Sequence, residues 1–270
     1  IAQFASYEGV KGGEFYTPAS VVKTIVSILK PSEGKRVYDP CCGSGGMFVQ
    51  SIKFIQDHSG NRNNVSVYGQ EANADTWKMA QMNMAIGRND VKFGEHHADT
   101  FFHDLHANER FDFIMANPPF NLKNWGQEQL QEDPRWQYGL PPAGNANFAW
   151  IEHMIYHLAP GGKIGLVLAN GALSTQTGGE GEIRKRIIEA DLVEGIVAMP
   201  TQLFYSVTIP VTLWFIRRGK KQKGKTLFID ARNMGHMVDR KHRDLSEQDI
   251  ERLAGTFEKF QKGKQQDEKG

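Results

Sequence analysis

Apolar residues recur along the chain in two rhythms. Short runs rich in β-branched side chains predict strands at Arg36–Asp39, Val65–Gln70, Val91–Glu95, Phe111–Ala116, Lys163–Ala169 and Val193–Met199. Between them, apolar residues three and four apart predict helices at Met47–Gln56, Asn73–Ile86, Phe148–Leu158 and Glu182–Ala190. In the second of these, Met79, Met82 and Ala85 form the expected core stripe. Upstream, Thr17-Pro18 reads as an N-cap followed by Pro at the first helical position, opening a helix through Val21, Val22, Ile25 and Ile28 to Leu29. Strands alternating with helices imply an α/β fold: a doubly wound, mostly parallel sheet covered on both faces.

The rhythm changes twice. Asn121–Asn147 is a long loop rich in Asn, Gln, Pro and aromatic residues. Such loops inside a compact domain are usually functional or disordered, and Trp125, Trp136 and Tyr138 argue against plain disorder. Near the end, Pro210–Ile216 and Thr226–Asp230 read as an antiparallel hairpin around a basic turn. Ser246-Glu247-Gln248-Asp249 then caps a last amphipathic helix to about Phe260, before a frayed tail. The predicted organisation is an N-terminal segment over 1–30, a main α/β body over 31–232 and a C-terminal helical extension over 233–270.

Composition narrows the class. The 270 residues are 40% hydrophobic, enough to bury a sizeable core without disulfide or metal staples. The formal charge of +1 excludes a highly basic, self-sufficient nucleic-acid binder. It conceals an asymmetry: residues 1–216 carry 17 basic and 22 acidic side chains, residues 217–270 carry 15 and 9. Six cations crowd into Arg217–Lys225, where a solvated turn tip and a phosphate or partner contact both fit. Neutralising Lys220, Lys221 and Lys223 is expected to weaken the second and leave the first untouched. The two cysteines, Cys41 and Cys42, are adjacent and lack zinc-site spacing, which points to a reducing cytoplasm. No apolar run reaches the ~18 residues of a membrane span. The chain opens on Ile1 without an initiator Met and reads as part of a longer protein.

Three strand ends carry candidate chemistry. Asp39-Pro40-Cys41-Cys42-Gly43-Ser44-Gly45-Gly46 joins a strand to a helix, and its glycines permit a sharp turn and close approach of a ligand. No Lys-Ser/Thr follows, so it is not a phosphate-binding P-loop, and Phe48 breaks the full G-x-G-x-x-G pattern. A cofactor turn and a tight structural turn both remain. Glu71, after the second strand, suits the two hydroxyls of a ribose, and fits equally well as an exposed strand-end acid. Asp99 shares that ambiguity. Asn117-Pro118-Pro119-Phe120 follows the strand Phe111–Ala116 directly. Two prolines fix the turn and remove two backbone donors. Carbonyl oxygens, the Asn117 amide oxygen and an aromatic face then suit a planar substrate bearing an NH₂ group.

In this order, behind Phe15-Tyr16-Thr17-Pro18, these segments resemble the S-adenosylmethionine-dependent amino-methyltransferases, and the gamma class of DNA adenine methyltransferases in particular. The chain is most similar to the methylation subunits of type I restriction-modification systems. That narrower likeness adds Asp133-Pro134-Arg135-Trp136, Asn145-Ala146-Asn147-Phe148-Ala149-Trp150, Val167-Leu168-Ala169-Asn170-Gly171, and Leu203-Phe204-Tyr205 with Ile209-Pro210. It spans roughly residues 12–260 and implies a Rossmann-like methyltransferase domain. The family's helical N-terminal domain is missing from the sequence, and its C-terminal helices are at best partial.

The resemblance implies roles residue by residue. Phe15, Tyr16 and Thr17 would hold the methionine end of S-adenosylmethionine, against a turn shaped by Asp39, Gly43, Ser44, Gly45 and Gly46. Glu71 would bind the ribose, and Asp99 the adenine amino group of the cofactor. Asn117 and the Pro118 carbonyl would accept hydrogen bonds from the target adenine amine, with Pro119 rigidifying the turn, Phe120 stacking on the base, and Asn117 also bordering the cofactor. Phe204 or Tyr205 would support the flipped base from its other side. Implied partners are double-stranded DNA and the specificity and restriction subunits of a type I complex, with no membrane. No metal is expected: His153 and His157 are four apart on a helix, but Met154 takes the place of the Glu in His-Glu-x-x-His, and His96-His97 lacks a third ligand. Two other readings compete. One is transfer to protein glutamine or RNA, and the other is a cofactor-binding assembly module inactive without partners.

Overall fold

The computed structural model describes residues 17–57, 65–86, 91–204 and 209–263. Phe15, Tyr16 and Tyr205 lie outside them.

The predicted strands assemble into one sheet. In chain order its strands are β1 (Arg36–Asp39), β2 (Ser66–Gly69), β3 (Val91–Lys92), β4 (Phe111–Ala116), β5 (Leu158–Ala169), β6 (Val193–Ala198), β7 (Val211–Arg217) and β8 (Leu227–Asp230). Across the sheet the order is β3-β2-β1-β4-β5-β7-β6-β8. Only β7 runs against its neighbours. Helices α1 (Ala19–Leu29), α2 (Gly46–Asp57), α3 (Ala74–Ile86), α4 (Asn147–Tyr156), α5 (Glu180–Glu189) and α6 (Glu247–Gln261) cover it.

Strand alternation splits the core into two faces. Along β5, Val167 points to the face covered by α1, α2 and α6, while Ile164, Leu166 and Leu168 point to the face covered by α4 and α5. On the first face α1 buries Val21, Val22, Ile25 and Ile28, spaced to form one stripe. Helix α6 lays Phe257 against Phe215 at 4.9 Å between ring centroids. A Cβ at Gly195 would stand 2.6 Å from the Phe257 ring, so glycine there lets the helix seat on β6. The Ser246 capping box on Asp249 starts α6 as expected.

Three expectations are corrected. The hairpin of Pro210–Ile216 with Thr226–Asp230 does not form: β6 lies between them, antiparallel to β7 and parallel to β8. The connection 218–226 is long enough to pass beneath β6, and the edge of β6 supplies a buried partner for β8. The C-terminal antiparallel hairpin lies further on, between β9 (His236–Met237) and β10 (Arg243–Asp244). On α3 the buried stripe is Ala80 and Met84, whereas Met82 is 64% exposed. At the start of α1 the Thr17 hydroxyl makes no capping bond; Pro18 is the N-cap.

The loop Asn121–Asn147 is ordered across the second face, with Trp125 buried and its indole N–H donating to the Pro142 carbonyl at 2.9 Å. The Tyr138 N–H donates to Glu152 Oε2 of α4 at 2.8 Å. Burial pushes the Glu152 carboxyl up to about 8. Because the folded value lies above the unfolded one, the stability Glu152 confers is complete below pH ~4.5 and is lost as pH rises through 8. Glu152→Gln keeps an acceptor for Tyr138 and removes the titration. Urea unfolding should show it gaining a few kcal/mol on the wild type between pH 5 and pH 9; an equal difference at both pH values would refute this.

Candidate active site

The sequence-predicted residues gather where β1, β2 and β4 end. At the end of β1, Asp39 is buried, and its Oδ1 accepts from the Cys41 N–H at 3.0 Å. The turn is tied to β2 by the Cys42 N–H donating to the Gln70 carbonyl at 2.9 Å. Gly45 has φ of +86°, a conformation glycine adopts without a Cβ penalty. A Cβ added at Gly43 or Gly46 would meet nothing within 4 Å, so the turn faces open space at both positions. Glu71 is buried; its Oε2 accepts from the Gly43 N–H at 3.0 Å and its Oε1 from the Asn73 N–H at 2.9 Å. The strand-end acid is therefore built into the glycine turn and not a surface charge.

Two acidic groups buried side by side carry a physical consequence. Burial, with Glu71 nearby, pushes Asp39 up to about 7 against the pull of the Cys41 N–H. The same burial and the same acids push the Cys41 and Cys42 thiols up, so neither supplies a thiolate nucleophile. A cationic ligand beside the turn would relieve this concentration of acid. The donor set, the open space at Gly43 and Gly46 and the acidic lining all fit a sulfonium cofactor with a ribose and an amino-acid tail.

The loop after β3, which carries Asp99, is held by residues that pattern alone did not single out. Gln70, fully buried, donates from Nε2 to the carbonyls of Ala98 at 3.3 Å and His103 at 2.6 Å, and accepts at Oε1 from the Leu105 N–H at 3.2 Å. Within that loop Asp99 is exposed, its Oδ1 accepting from the Phe101 N–H at 2.8 Å. Thr100 reaches back with its hydroxyl to the Pro40 carbonyl at 2.5 Å. Arg135 then crosses from the long loop. It donates to the Thr100 carbonyl at 2.9 Å and to the Phe101 carbonyl, and forks onto Asp133 at 2.8 and 2.7 Å. Only the Asp-x-Arg spacing of 133 and 135 hinted at an inward-facing fork.

Asn117 stands at the end of β4, with Pro118 buried behind it and Pro119 and Phe120 half-buried. Its Nδ2 donates to Thr17 Oγ1 at 2.9 Å, across 100 positions of sequence. That bond joins the first and last motifs of the site and makes Oδ1 the acceptor end of the amide. Directly behind Phe120, three asparagines close the base of the long loop. The Asn121 N–H donates to Asn147 Oδ1 at 3.1 Å, and Asn147 Nδ2 returns to Asn121 Oδ1 at 3.0 Å. Asn145 Nδ2 reaches the same oxygen at 3.2 Å. Asn121 has φ of +54°, which asparagine tolerates well. Phe204 is buried and meets Phe120 edge to face, ring centroids 6.2 Å apart. This edge contact props the ring of Phe120.

His153, His157 and Asp104 offer ligand atoms within 4.8 Å of one another. Protein groups occupy every ring nitrogen. His153 Nδ1 accepts from Arg135 at 3.1 Å and its Nε2 meets Tyr38 Oη at 3.1 Å. His157 faces the Glu109 carbonyl at 3.0 Å and Asp104 at 2.7 Å. A cation here would have to displace the guanidinium of Arg135. Burial pushes His153 well below its ordinary value and keeps it neutral.

The sequence matches the family model described as N-6 DNA Methylase over residues 1–269. It is 56% identical to the type I restriction enzyme HindI methylase subunit of Haemophilus influenzae, covering 97% of this chain and 59% of that protein. It is 43% identical to the MjaIX methylase subunit of Methanocaldococcus jannaschii, covering 99% of this chain and 49% of that protein. Among solved structures, the type I restriction-modification methyltransferase subunit from Streptococcus thermophilus superposes with a TM-score of 0.84 at 28% identity, covering 96% of this chain and 55% of that one. The chain thus spans about half to three fifths of the length of these relatives.

Proposed function

The chain belongs to the N-6 DNA methylase family, and from that premise we propose that it transfers a methyl group from S-adenosylmethionine to the N6 amine of an adenine flipped out of duplex DNA. It would do so as the modification subunit of a type I restriction-modification complex. The observation that supports this reading most is the hydrogen bond from Asn117 to Thr17, because it ties the segment expected to bind the amine to the segment expected to hold the cofactor.

When bound, the cofactor supplies a methyl group on a sulfonium, an excellent leaving group. The residues of the chain have to position the amine. Glu71, Asp39 and the open face at Gly43 and Gly46 would hold the cofactor, with Glu71 on its ribose and Asp99 on its adenine amino group. The exocyclic amine is a poor nucleophile because its lone pair is delocalised into the ring. Asn117 Oδ1 and the Pro118 carbonyl, accepting its two hydrogens, favour a pyramidal nitrogen whose lone pair is localised. Alignment and electrostatics then matter more than a strong base. Extrusion of the base costs a few kcal/mol, and stacking on Phe120, ~1–3 kcal/mol per base, offsets much of it. Phe204 fixes the ring of Phe120 for that task.

The decisive experiment incubates methyl-labelled cofactor with duplex DNA and the full subunit, with and without its specificity subunit. Label in adenine that depends on the complex is the expected result. Label in protein glutamine or RNA, or none with DNA in either state, would sink the proposal.

A further inference from the structure

The six-cation run that composition singles out lies at the wrong end of the sheet to meet the substrate. Arg217 ends β7, which is antiparallel, so residues 217–225 sit at the edge where the parallel strands begin. Half of the run turns inward. Lys220 is 4% exposed and donates to the Val193 carbonyl at 3.0 Å and to the Lys225 carbonyl at 2.8 Å. Arg217 meets Glu194 at 3.4 Å, and Arg218 donates to the Ile155 carbonyl at 3.0 Å.

A second group of cations stands at the edge that carries Asn117 and Phe120. Strand β8 ends at Asp230, in register with Ala198 at the end of β6. The chain therefore emerges at Ala231 on the carboxyl edge and folds back through β9 and β10. The Ala231 N–H donates to the Ala198 carbonyl at the end of β6 at 2.9 Å, and the hairpin is tied to the loop after β6 by the Arg243 N–H donating to the Gln202 carbonyl at 3.0 Å. Gln202 precedes by two residues the Phe204 ring that props Phe120.

Between Arg232 and Arg243 the only acid is Asp239, against four Arg or Lys side chains. Arg232 is spent on Asp230, at 2.8 and 2.6 Å, and Arg243 turns its guanidinium back to the Met234 carbonyl at 2.9 Å. Asp239 at the tip pairs with His242 at 2.6 Å. Arg240 and Lys241 are exposed, and among the described residues neither pairs with a carboxylate. Beside them Met237 and Val238 are 44% and 49% exposed.

We propose that the β9–β10 hairpin is a DNA-backbone clamp, with Arg240 and Lys241 holding phosphates of the duplex beside the flipped adenine. This rests on the DNA reading above and adds the surface that grips the substrate. Adjacent unpaired cations complement adjacent phosphates. Two exposed apolar side chains can lie against sugars but give little area to anchor a protein partner. Backbone contacts position a duplex without reading its sequence, so the clamp should act alike on any DNA.

The test uses the full subunit in complex with its specificity subunit, carrying Arg240→Gln and Lys241→Gln. DNA affinity is measured against salt on a duplex containing the recognition site and on one lacking it. Loss of two phosphate contacts should make the slope of log affinity against log salt shallower by about 1.8 on both. Lys221→Gln with Lys223→Gln, at the opposite edge, should leave the slope at the wild-type value. Unchanged cofactor affinity in the hairpin variant reports that the site has folded. A wild-type slope in that variant overturns the clamp alone, provided the wild-type complex methylates duplex adenine. Loss of the specificity subunit from the variant complex assigns the hairpin to a protein contact and overturns it too. A wild-type complex that transfers no methyl to duplex adenine brings down the DNA reading and the clamp together.

Discussion

Asn117→Ala should slow methyl transfer ~10²–10³-fold in single turnover, the usual effect of removing one preorganised group aimed at a reacting centre. Cofactor affinity should fall far less. The side chain donates one hydrogen bond to Thr17 on the cofactor side, and such a bond is worth ~0.5–1.5 kcal/mol, at most about a tenfold change in Kd. The two effects separate because Oδ1 serves the amine while Nδ2 serves Thr17. Asn117→Asp keeps an acceptor toward the amine and can still receive the Thr17 hydroxyl, so it should retain more of the rate than the alanine variant. Rapid-quench assays with saturating cofactor give the rate, and calorimetry gives the affinity. A collapse in cofactor affinity with an unchanged single-turnover rate would place Asn117 in the cofactor site alone.

The strands and the positions of the candidate residues at their ends were legible because they obey local rules. Short runs of apolar, β-branched and aromatic residues between helical patterns mark buried parallel strands, and β1, β2, β4 and β6 lie within a residue or two of the bounds such runs predict. In a doubly wound sheet ligands are expected at the carboxyl ends of strands, so Asp39, Glu71 and Asn117 could be placed as candidates from sequence order. What was not legible is non-local. Whether β8 pairs with β7 or crosses beneath β6 depends on which edge is available, and both choices present the same alternation. Lys220 reads as one more surface cation, yet the carbonyls of Val193 and Lys225 and the carboxylate of Asp191, 2.6 Å away, draw it inside. Phe204 shows a similar limit: its place in a motif was visible, but its edge-to-face contact with Phe120 depends on how the loop after β6 folds.

Charge also changes meaning once placed. A near-neutral total counts against DNA only as a sum, and the sum mixes an acidic glycine turn, a partly buried basic run at one edge and a cationic hairpin at the other. A sulfonium cofactor favours the first, and phosphates the last. On the proposed function, affinity for DNA depends on where a few exposed cations stand and not on the sum.

Arg135→Ala should cost the fold ~3–5 kcal/mol, the range expected when one partner is removed from a buried ion pair. Arg135 is 5% exposed. Its loss leaves the carbonyls of Thr100 and Phe101 and His153 Nδ1 without the guanidinium donor, and leaves Asp133 only the backbone N–H of residue 135. Burial alone would raise the Asp133 carboxyl, but the Arg135 fork wins and holds it below the usual range. A depressed folded value contributes stability that is present above the unfolded pKa and lost as pH falls. The alanine variant should therefore lose more stability at pH 7 than at pH 3, which denaturant midpoints at the two values would show. Because Thr100 and Phe101 follow Asp99, the cofactor should also bind more weakly to whatever fraction folds. Arg135→Lys is the sharper probe, since a lysine keeps the charge but cannot fork across Asp133 and two carbonyls at once. It should recover little of the stability or the cofactor affinity. A lysine variant equal to the wild type in both would mean that charge alone suffices, and that the long loop and the Asp99 loop are coupled by other contacts.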